Sequence, residues 1–191
     1  FWLGSEVNGS TLGVVGLGGI GIETAKRALG FDMKVLYHSR TRKRDVEKEF
    51  GFKYASFKRV LAESDFISLH VPLTPETHGF IGEKQLRSMK KSAILINLSR
   101  GPVVDTEALY NSLTKGWIAG AGLDVFDPEP VPTNHPILGL DNVVVLPHIG
   151  SASSGSRREM HLLAARNLIS GLKGERLEEC ANPELYETLG I

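Results

Sequence analysis

The sequence predicts an α/β protein with a doubly wound parallel sheet. Short runs of apolar, β-branched residues alternate along the chain with amphipathic stretches of helical length, and the links between them are short. The runs are also almost continuously apolar, which is typical of strands that helices cover on both faces. The expected strands are residues 11–17, 34–37, 66–70, 93–98, 118–125 and 143–146.

Helices are expected between these strands, with a longer helix after the last of them. Ser56 and Asp105 stand where their side chains can cap two of the helices by accepting a hydrogen bond from a first-turn backbone N–H. A chain of 191 residues has room for one main domain. We expect residues 1–175 to form that domain and residues 176–191 to be a separate C-terminal segment. The expected helices are residues 20–29, 43–50, 57–63, 83–89 and 105–115, followed by the long helix over about 153–173.

The composition argues against several classes of partner. The chain has 22 basic and 22 acidic residues and no net charge, so we expect neither nucleic acid nor a membrane surface as its partner. Cys180 is the single cysteine, which rules out an internal disulfide and favours a reducing compartment, so we expect a cytoplasmic protein. The histidines show no metal-ligand spacing with one another or with Cys180, so no metal site is predicted.

A glycine-rich turn follows the first expected strand and leads into the first expected helix. Gly16, Gly18 and Gly21 have the G-x-G-x-x-G spacing, and Gly19 and Ile20 complete the turn. In such a turn the first glycine allows the sharp bend, the second lets the backbone approach a pyrophosphate, and the third lets helix and strand pack closely. The phosphates then lie at the N-terminus of the helix. The sequence therefore predicts a Rossmann domain that binds a dinucleotide through these five residues.

The end of the second expected strand predicts which dinucleotide binds. An acidic residue about 20 positions beyond the glycines normally binds the ribose 2′-hydroxyl of NAD, but no carboxylate occurs here before Asp45. Ser39, Arg40, Thr41 and Arg42 occupy this place, and small hydroxyls with cations suit a 2′-phosphate. We therefore predict NADP in preference to NAD. The alternative for the cations from Arg42 onward is a solvated start of the next helix.

Three side chains that can take part in catalysis follow later strands of the expected sheet. Arg100 comes after the fourth expected strand, Glu129 lies in a proline-rich loop after the fifth, and His148 follows the sixth. Because ligands bind beyond the carboxyl ends of the strands in an open parallel sheet, these residues should meet at one edge. A histidine can give a proton to a ketone oxygen, a carboxylate beside it favours its charged form, and an arginine can hold a substrate carboxylate. The three residues therefore predict a catalytic site for hydride transfer to a keto acid.

Five short segments match a known enzyme family in the order in which they occur. They are residues 16–21, 70–74, 96–101, 122–126 with 129–130, and 147–151. Over residues 10–185 the chain thereby resembles the D-isomer-specific 2-hydroxyacid dehydrogenases, and within that family the glyoxylate and hydroxypyruvate reductases. The resemblance implies a homodimer formed largely through this domain. It also implies a preceding substrate domain, largely absent from this chain, to which residues 176–191 return.

The same resemblance implies roles for individual residues. Arg100 would bind the substrate, His148 would be the acid–base with Glu129 as its carboxylate partner, and Ser151 would touch the substrate. Asp124 would contact the nicotinamide side of the cofactor. The residues that would line the rest of the cofactor are Val71, Pro72, Leu98 and Gly150.

The expected function is reduction of small 2-keto acids, of the glyoxylate or hydroxypyruvate type, to D-2-hydroxy acids with NADPH. Two alternatives stay open from the sequence. One is a dehydrogenase that prefers NAD and acts on another 2-hydroxy acid, such as a 3-phosphoglycerate-type substrate. The other is a cofactor-sensing binding protein without enzymatic activity, similar to the corepressors that share this fold, because a fold alone does not determine function.

Overall fold

The computed structural model of the chain describes residues 4–190, and its strands form one sheet. The strands are β1 (Thr11–Val15), β2 (Lys34–His38), β3 (Lys53–Tyr54), β4 (Phe66–Leu69), β5 (Ile94–Asn97), β6 (Gly120–Leu123) and β7 (Val143–Val145). All neighbouring strands are parallel, and their order is β3-β2-β1-β4-β5-β6-β7. The predicted α/β class with a doubly wound parallel sheet is confirmed.

The helices alternate with the strands as the sequence predicts. They are α1 (Gly19–Ala28), α2 (Arg44–Phe50), α3 (Phe57–Glu63), α4 (Glu83–Arg87), α5 (Thr106–Thr114), α6 (Ser154–Leu172) and α7 (Leu185–Leu189). Both predicted N-caps are present: the side chain of Ser56 accepts from the Arg59 N–H, and that of Asp105 accepts from the Ala108 N–H. The prediction missed β3 and α7, which are too short to show a hydrophobic period.

The order of the strands determines where a ligand can bind. The chain starts in the middle of the sheet at β1, builds outwards through β2 and β3, and then returns to add β4 on the other side of β1. The carboxyl ends of β1, β2 and β4 therefore lie side by side, with Val15 opposite both His38 and Leu69. This reversal of strand order opens a crevice at the carboxyl edge.

The core lies on both faces of the sheet. Along β2, Val35 and Tyr37 belong to one buried apolar cluster and Leu36 to the other. Successive side chains of a strand point to opposite faces, so β2 is covered on both. This double coverage explains why the strands read as continuous apolar runs rather than as alternating ones.

The chain folds into two compact units, one ending at His148 and the other beginning at Ile149. Within the second unit, α6 is joined to the tail that follows it: the Arg166 side chain donates to Glu178 over 2.6 Å, and Asn167 exchanges hydrogen bonds with the backbone of residues 178–179. The division lies before the predicted boundary between residues 175 and 176, which stays a prediction. Within residues 4–190, no helix is long and apolar enough to cross a membrane.

The side chain of Asp65 bonds to the amino end of β1, and its contribution to stability should depend on pH. The Asp65 carboxylate accepts from the Thr11 N–H at 2.9 Å and from the Lys90 ammonium at 2.7 Å. Burial alone would raise the pKa of Asp65, but these hydrogen bonds outweigh it and hold the pKa below the ordinary value of 3.8. A lowered pKa means that the stabilisation is complete above the ordinary value and is lost as the pH falls through the folded-state value.

We expect Asp65→Asn to lower the free energy of unfolding at pH 7 by about 1 kcal/mol. The difference from the wild type should shrink as the pH falls below about 3.8 and towards the lower pKa at which the folded wild-type carboxylate becomes protonated. Urea unfolding at a series of pH values measures both effects. Asp141→Asn, at an exposed position, is the matched control and should change little at any pH; a penalty for Asp65→Asn that is constant with pH would contradict the assignment.

Candidate active site

The turn between β1 and α1 needs glycine at two positions. Gly16 has a φ of +96°, and a Cβ there would lie 2.7 Å from the carbonyl group of His70. A Cβ on Gly21 would lie 2.2 Å from the carbonyl oxygen of Gly16. Gly18 and Gly19 are different, because a Cβ on either would meet nothing within 4 Å. The first pair therefore shapes the turn, while the second pair leaves open space in front of the N-terminus of α1, as a bound phosphate requires.

A cleft of about 500 Å³ opens beside this turn, and we call it the glycine cleft. Three segments that follow β1, β2 and β4 line it: residues 15–18, residues 38–41 with Lys43, and residues 70–72. It therefore lies at the reversal of strand order, where an open sheet binds its ligands. Val71 and Pro72, predicted from the resemblance to line the cofactor, are among these lining residues. The remaining lining residues are Thr74, Glu76, Thr77 and Phe80.

The basic segment after β2 divides into residues that face the glycine cleft and one that does not. Ser39, Arg40 and Thr41 line the cleft, as does Lys43, which sequence reasoning missed. Arg42 is not among the lining residues. Its guanidinium binds the Glu47 carboxylate through Nε at 2.8 Å and Nη2 at 2.7 Å.

Two histidines also line the glycine cleft and were given no chemistry from the sequence. The ring of His38 bonds the Ala55 carbonyl through Nδ1 at 3.1 Å and stacks on Tyr54. The ring of His70 lies 2.9 Å from the Ser68 hydroxyl, measured from Nε2, and burial lowers the pKa of His70. Both histidines that line the cleft therefore have a ring held by a hydrogen bond within the protein.

A second cleft, of about 490 Å³, lies at the carboxyl ends of β6 and β7, and we call it the histidine cleft. His148 and Glu129 line it and are hydrogen-bonded to each other, Nδ1 against Oε1. Asp124, which directly follows β6 and is 2% exposed, lines the same cleft. The rest of the wall is largely apolar and includes Phe126, Val131, Leu138, Val145 and Leu146. A histidine that is hydrogen-bonded to a carboxylate thus stands against an apolar wall.

The backbone of His148 is in a conformation that histidine rarely adopts. Its φ is +55°, in the left-handed region, where a residue with a side chain costs about 1–3 kcal/mol. Such strain persists where the surrounding structure enforces it, and it is concentrated at functional sites. Here the strained backbone turns the imidazole into contact with the carboxylate of Glu129, which lies 19 positions earlier in the chain.

Arg100 is placed by a buried polar network at the end of β5. The Asn97 side chain, 1% exposed, donates to the Arg100 carbonyl at 2.9 Å and accepts from the N–H and hydroxyl of Ser99 at 3.1 and 2.9 Å. The Arg100 guanidinium itself is exposed and donates to the Ser99 carbonyl at 2.7 Å. Among the described residues, no hydrogen bond or ion pair joins Arg100 to Glu129 or His148.

Gly101 connects the Arg100 turn to the loop that carries Glu129. A Cβ at Gly101 would lie 1.8 Å from the carbonyl oxygen of Phe126 and 2.7 Å from the backbone nitrogen of Asp127. The two backbones therefore touch at this point, three residues before Glu129 in the loop. Sequence reasoning took Arg100 and Glu129 as separate strand-end residues, and it missed both this contact and the role of Asn97.

Two other predicted site residues of the first unit, Leu98 and Ile20, are not among the residues that line either cleft. Leu98 is 42% exposed after β5, and Ile20 is 74% exposed in the first turn of α1. Gly150 and Ser151 belong to the second unit, in a turn closed by a 2.9 Å hydrogen bond from the Ala152 N–H to the Ile149 carbonyl. In the part of the chain that the structure describes, no three side chains of His, Cys, Asp or Glu come together as a metal site would require.

Comparison with known proteins identifies the family. The family model described as the NAD binding domain of the D-isomer specific 2-hydroxyacid dehydrogenases matches residues 1–150. The chain belongs to this family. The resemblance that the five sequence segments indicated is therefore confirmed.

Individual relatives agree with this membership. The chain is 54% identical over 185 residues to a glyoxylate reductase of Korarchaeum cryptofilum, covering 97% of this chain and 56% of that protein. It is 50% identical over 187 residues to glyoxylate/hydroxypyruvate reductase B of Pectobacterium carotovorum, covering 97% and 58%. The crystal structure of a glyoxylate reductase from Paecilomyes thermophila superimposes with a TM-score of 0.85 at 42% identity, covering 92% of this chain and 53% of that one. The chain thus spans about half the length of the relatives it matches.

Proposed function

We propose that this chain is the cofactor-binding half of an NADPH-dependent enzyme that reduces small 2-keto acids, of the glyoxylate or hydroxypyruvate type, to D-2-hydroxy acids. The observation that carries the proposal is the hydrogen-bonded pair of His148 and Glu129, at the same sheet edge as the glycine turn. The names of the relatives supply the substrate class.

The glycine turn fits a dinucleotide. Added Cβ atoms on Gly16 and Gly21 would collide with backbone, whereas the space in front of Gly18 and Gly19 is open to a pyrophosphate. Val71 and Pro72 would lie along the bound cofactor, since they line the same cleft. When bound, the nicotinamide cofactor supplies the hydride that the keto carbon receives. We keep Ile20, Leu98, Asp124 and Gly150 as further cofactor contacts of this proposal.

A preference for NADP over NAD is supported by the charges that the segment after β2 brings to the glycine cleft; the carboxylate among the lining residues, that of Glu76, belongs to a different segment of the wall. Arg40 and Lys43 line it together with the hydroxyls of Ser39 and Thr41. Cations and small hydroxyl donors suit a 2′-phosphate, and the segment after β2 presents no carboxylate to the cleft where NAD would need one. The Ser39 hydroxyl donates to the Thr41 carbonyl at 2.6 Å, so it would turn from this carbonyl to donate to a bound phosphate.

The chemistry assigned to the chain's own residues is proton transfer and orientation. Because Glu129 occupies Nδ1 of His148, Nε2 is the nitrogen that gives a proton to the keto oxygen as it becomes an alkoxide. Glu129 fixes the orientation of the ring through this hydrogen bond. Arg100 binds the substrate carboxylate and orients the keto carbon. Ser151 is proposed as a further substrate contact.

The proposal includes the setting of the whole enzyme. A substrate domain would complete the active site, because about half the length of the relatives has no counterpart in this chain. A homodimer formed through this domain and a cytoplasmic location belong to the same proposal; the single cysteine supports the location. The residues 176–191 would return to the substrate domain.

Titration of the full-length protein with both cofactors tests the cofactor preference. We expect NADPH to bind at least tenfold more tightly than NADH, because one or more charge-assisted hydrogen bonds to the 2′-phosphate would be lost with NADH. The preference should decline with rising salt, because exposed charges are screened. Quenching of tryptophan fluorescence or calorimetry gives both dissociation constants. Equal or tighter binding of NADH would contradict the proposal.

A further inference from the structure

A network of three side chains joins β2 to α2 behind the segment that lines the glycine cleft. The Tyr37 hydroxyl, fully buried at the end of β2, donates to the Glu47 carboxylate at 2.6 Å and accepts from the Lys43 N–H at 2.8 Å. Glu47, on α2, also holds the guanidinium of Arg42 by three hydrogen bonds, from Nε to both carboxylate oxygens and from Nη2 to Oε2. We call Tyr37, Glu47 and Arg42 the Tyr37 network.

The network closes residues 38–43 into a loop. Tyr37 lies directly before this segment, Lys43 ends it, and Glu47 lies one helical turn beyond Lys43. The Glu47 side chain is only 15% exposed, and its hydrogen bonds from Arg42 and Tyr37 lower its pKa to about 2, so it is a charged acceptor at neutral pH. Hydrogen bonds to a shielded charge are among the stronger polar interactions. Both ends of the segment are therefore attached to one point.

The network also changes the role of Arg42. Its charge is balanced by Glu47 and its side chain is absent from the wall of the glycine cleft, whereas Arg40 and Lys43 form part of that wall. An arginine in a two-point bond to a carboxylate has used the donor pair with which it would hold a phosphate. Arg42 is thus better placed to hold the segment than to bind a ligand.

We propose that Glu47 and Tyr37 are positioning residues for 2′-phosphate recognition, which hold Ser39, Arg40, Thr41 and Lys43 in the arrangement that distinguishes NADPH from NADH. The proposal rests on the NADPH preference proposed above. It deepens that preference by identifying residues outside the cleft that determine it. No contact between either residue and the cofactor is involved.

The positioning role and simple electrostatics predict opposite effects of Glu47→Gln on the affinity for NADPH. Glu47 places a negative charge near the proposed phosphate site, so its neutralisation should by Coulomb's law alone strengthen NADPH binding. If Glu47 instead positions the segment, Glu47→Gln should weaken NADPH binding, because the segment loses its attachment. The same weakening should follow from Tyr37→Phe, which removes one hydroxyl and leaves the ring in the core.

The experiment uses the full-length protein, with NADPH and NADH titrations and amide hydrogen exchange of residues 39–43. We expect Glu47→Gln and Tyr37→Phe each to weaken NADPH binding about tenfold, the loss of one charge-assisted hydrogen bond, with NADH binding changed less than about twofold. Exchange of the Lys43 amide, whose acceptor is the Tyr37 hydroxyl, should become faster in both variants. Thermal unfolding verifies that each variant is folded.

Two controls match these changes. Glu49→Gln removes the same charge from an exposed position of α2, and Tyr54→Phe removes a hydroxyl from the ring that packs edge-on against Tyr37 at 5.5 Å. Both should leave NADPH binding and amide exchange unchanged. Tighter or unchanged NADPH binding in Glu47→Gln would overturn the positioning role while the wild-type preference stands. If the wild type fails to prefer NADPH, the proposed cofactor preference is wrong. Unchanged amide exchange of residues 39–43 in both variants would overturn the positioning role, whatever the cofactor preference of the wild type.

Discussion

Replacing His148 by asparagine in the full-length protein is expected to lower kcat for glyoxylate reduction about a thousandfold. Asparagine keeps a polar group in the histidine cleft but cannot give up a proton near neutral pH, so the developing alkoxide loses its acid. NADPH binding should stay within about twofold of the wild type, because His148 does not line the glycine cleft. Steady-state kinetics and a cofactor titration measure both. His78→Asn, at an exposed position, is the control and should retain full activity.

The contact between His148 and Glu129 also predicts the effect of replacing Glu129, alone and together with His148. Glu129→Gln should by itself lower kcat about a hundredfold, since the amide no longer fixes the orientation of the ring as the carboxylate does. Residues that act as one unit show effects that do not add, so the double variant should be no slower than His148→Asn alone. Additive losses would show that the two residues act separately. Turnover that survives His148→Asn unchanged would refute the acid–base assignment.

Replacing Gly101 by alanine is expected to lower the free energy of unfolding by about 3 kcal/mol. The new Cβ would lie 1.8 Å from the Phe126 carbonyl oxygen, and the nearest atoms are all backbone, so no side chain can move aside to relieve the contact. The loop that carries Glu129 must then shift away from the Arg100 turn. Activity should therefore fall through a higher KM for the keto acid, as well as through lower stability.

Urea unfolding of the variant and the wild type measures this loss. Gly139→Ala is the matched control, because a Cβ there would meet nothing within 4 Å. It should change the free energy of unfolding by no more than about 1 kcal/mol. If Gly101→Ala were as stable as Gly139→Ala, the close approach of the two backbones would not be required for the fold.

The sequence predicted most of the fold because its signals are local. The longer strands are predicted by continuous apolar runs and the longer helices by a helical period. Ser56 and Asp105 indicate where two helices begin, because their side chains accept hydrogen bonds from the first turn. The two-residue strand β3 and the five-residue helix α7 lack any such period and were missed. Short elements are selected by the neighbours they pair with rather than by their own residues.

Side-chain partners were less predictable than strand ends. The order of strands brought Glu129 and His148 to one edge as expected, and the structure adds that they touch. It separates Arg42 from the other basic residues after β2, because Glu47 lies within its reach. A run of like charges in a sequence does not reveal which member finds an opposite charge in the folded chain.

By itself, the sequence determined the parallel α/β class, the glycine turn, the positions of Arg100, Glu129 and His148 at strand ends, and the family. These follow from residue type, spacing and period, which the chain carries whether or not it is folded. Only the tertiary structure decided that Gly101 touches the Phe126 backbone, that Asn97 holds the Arg100 turn, and that Tyr37 and Glu47 hold the segment after β2. Each of these contacts needs a second residue brought within a few ångströms by folding, and no local pattern specifies that residue.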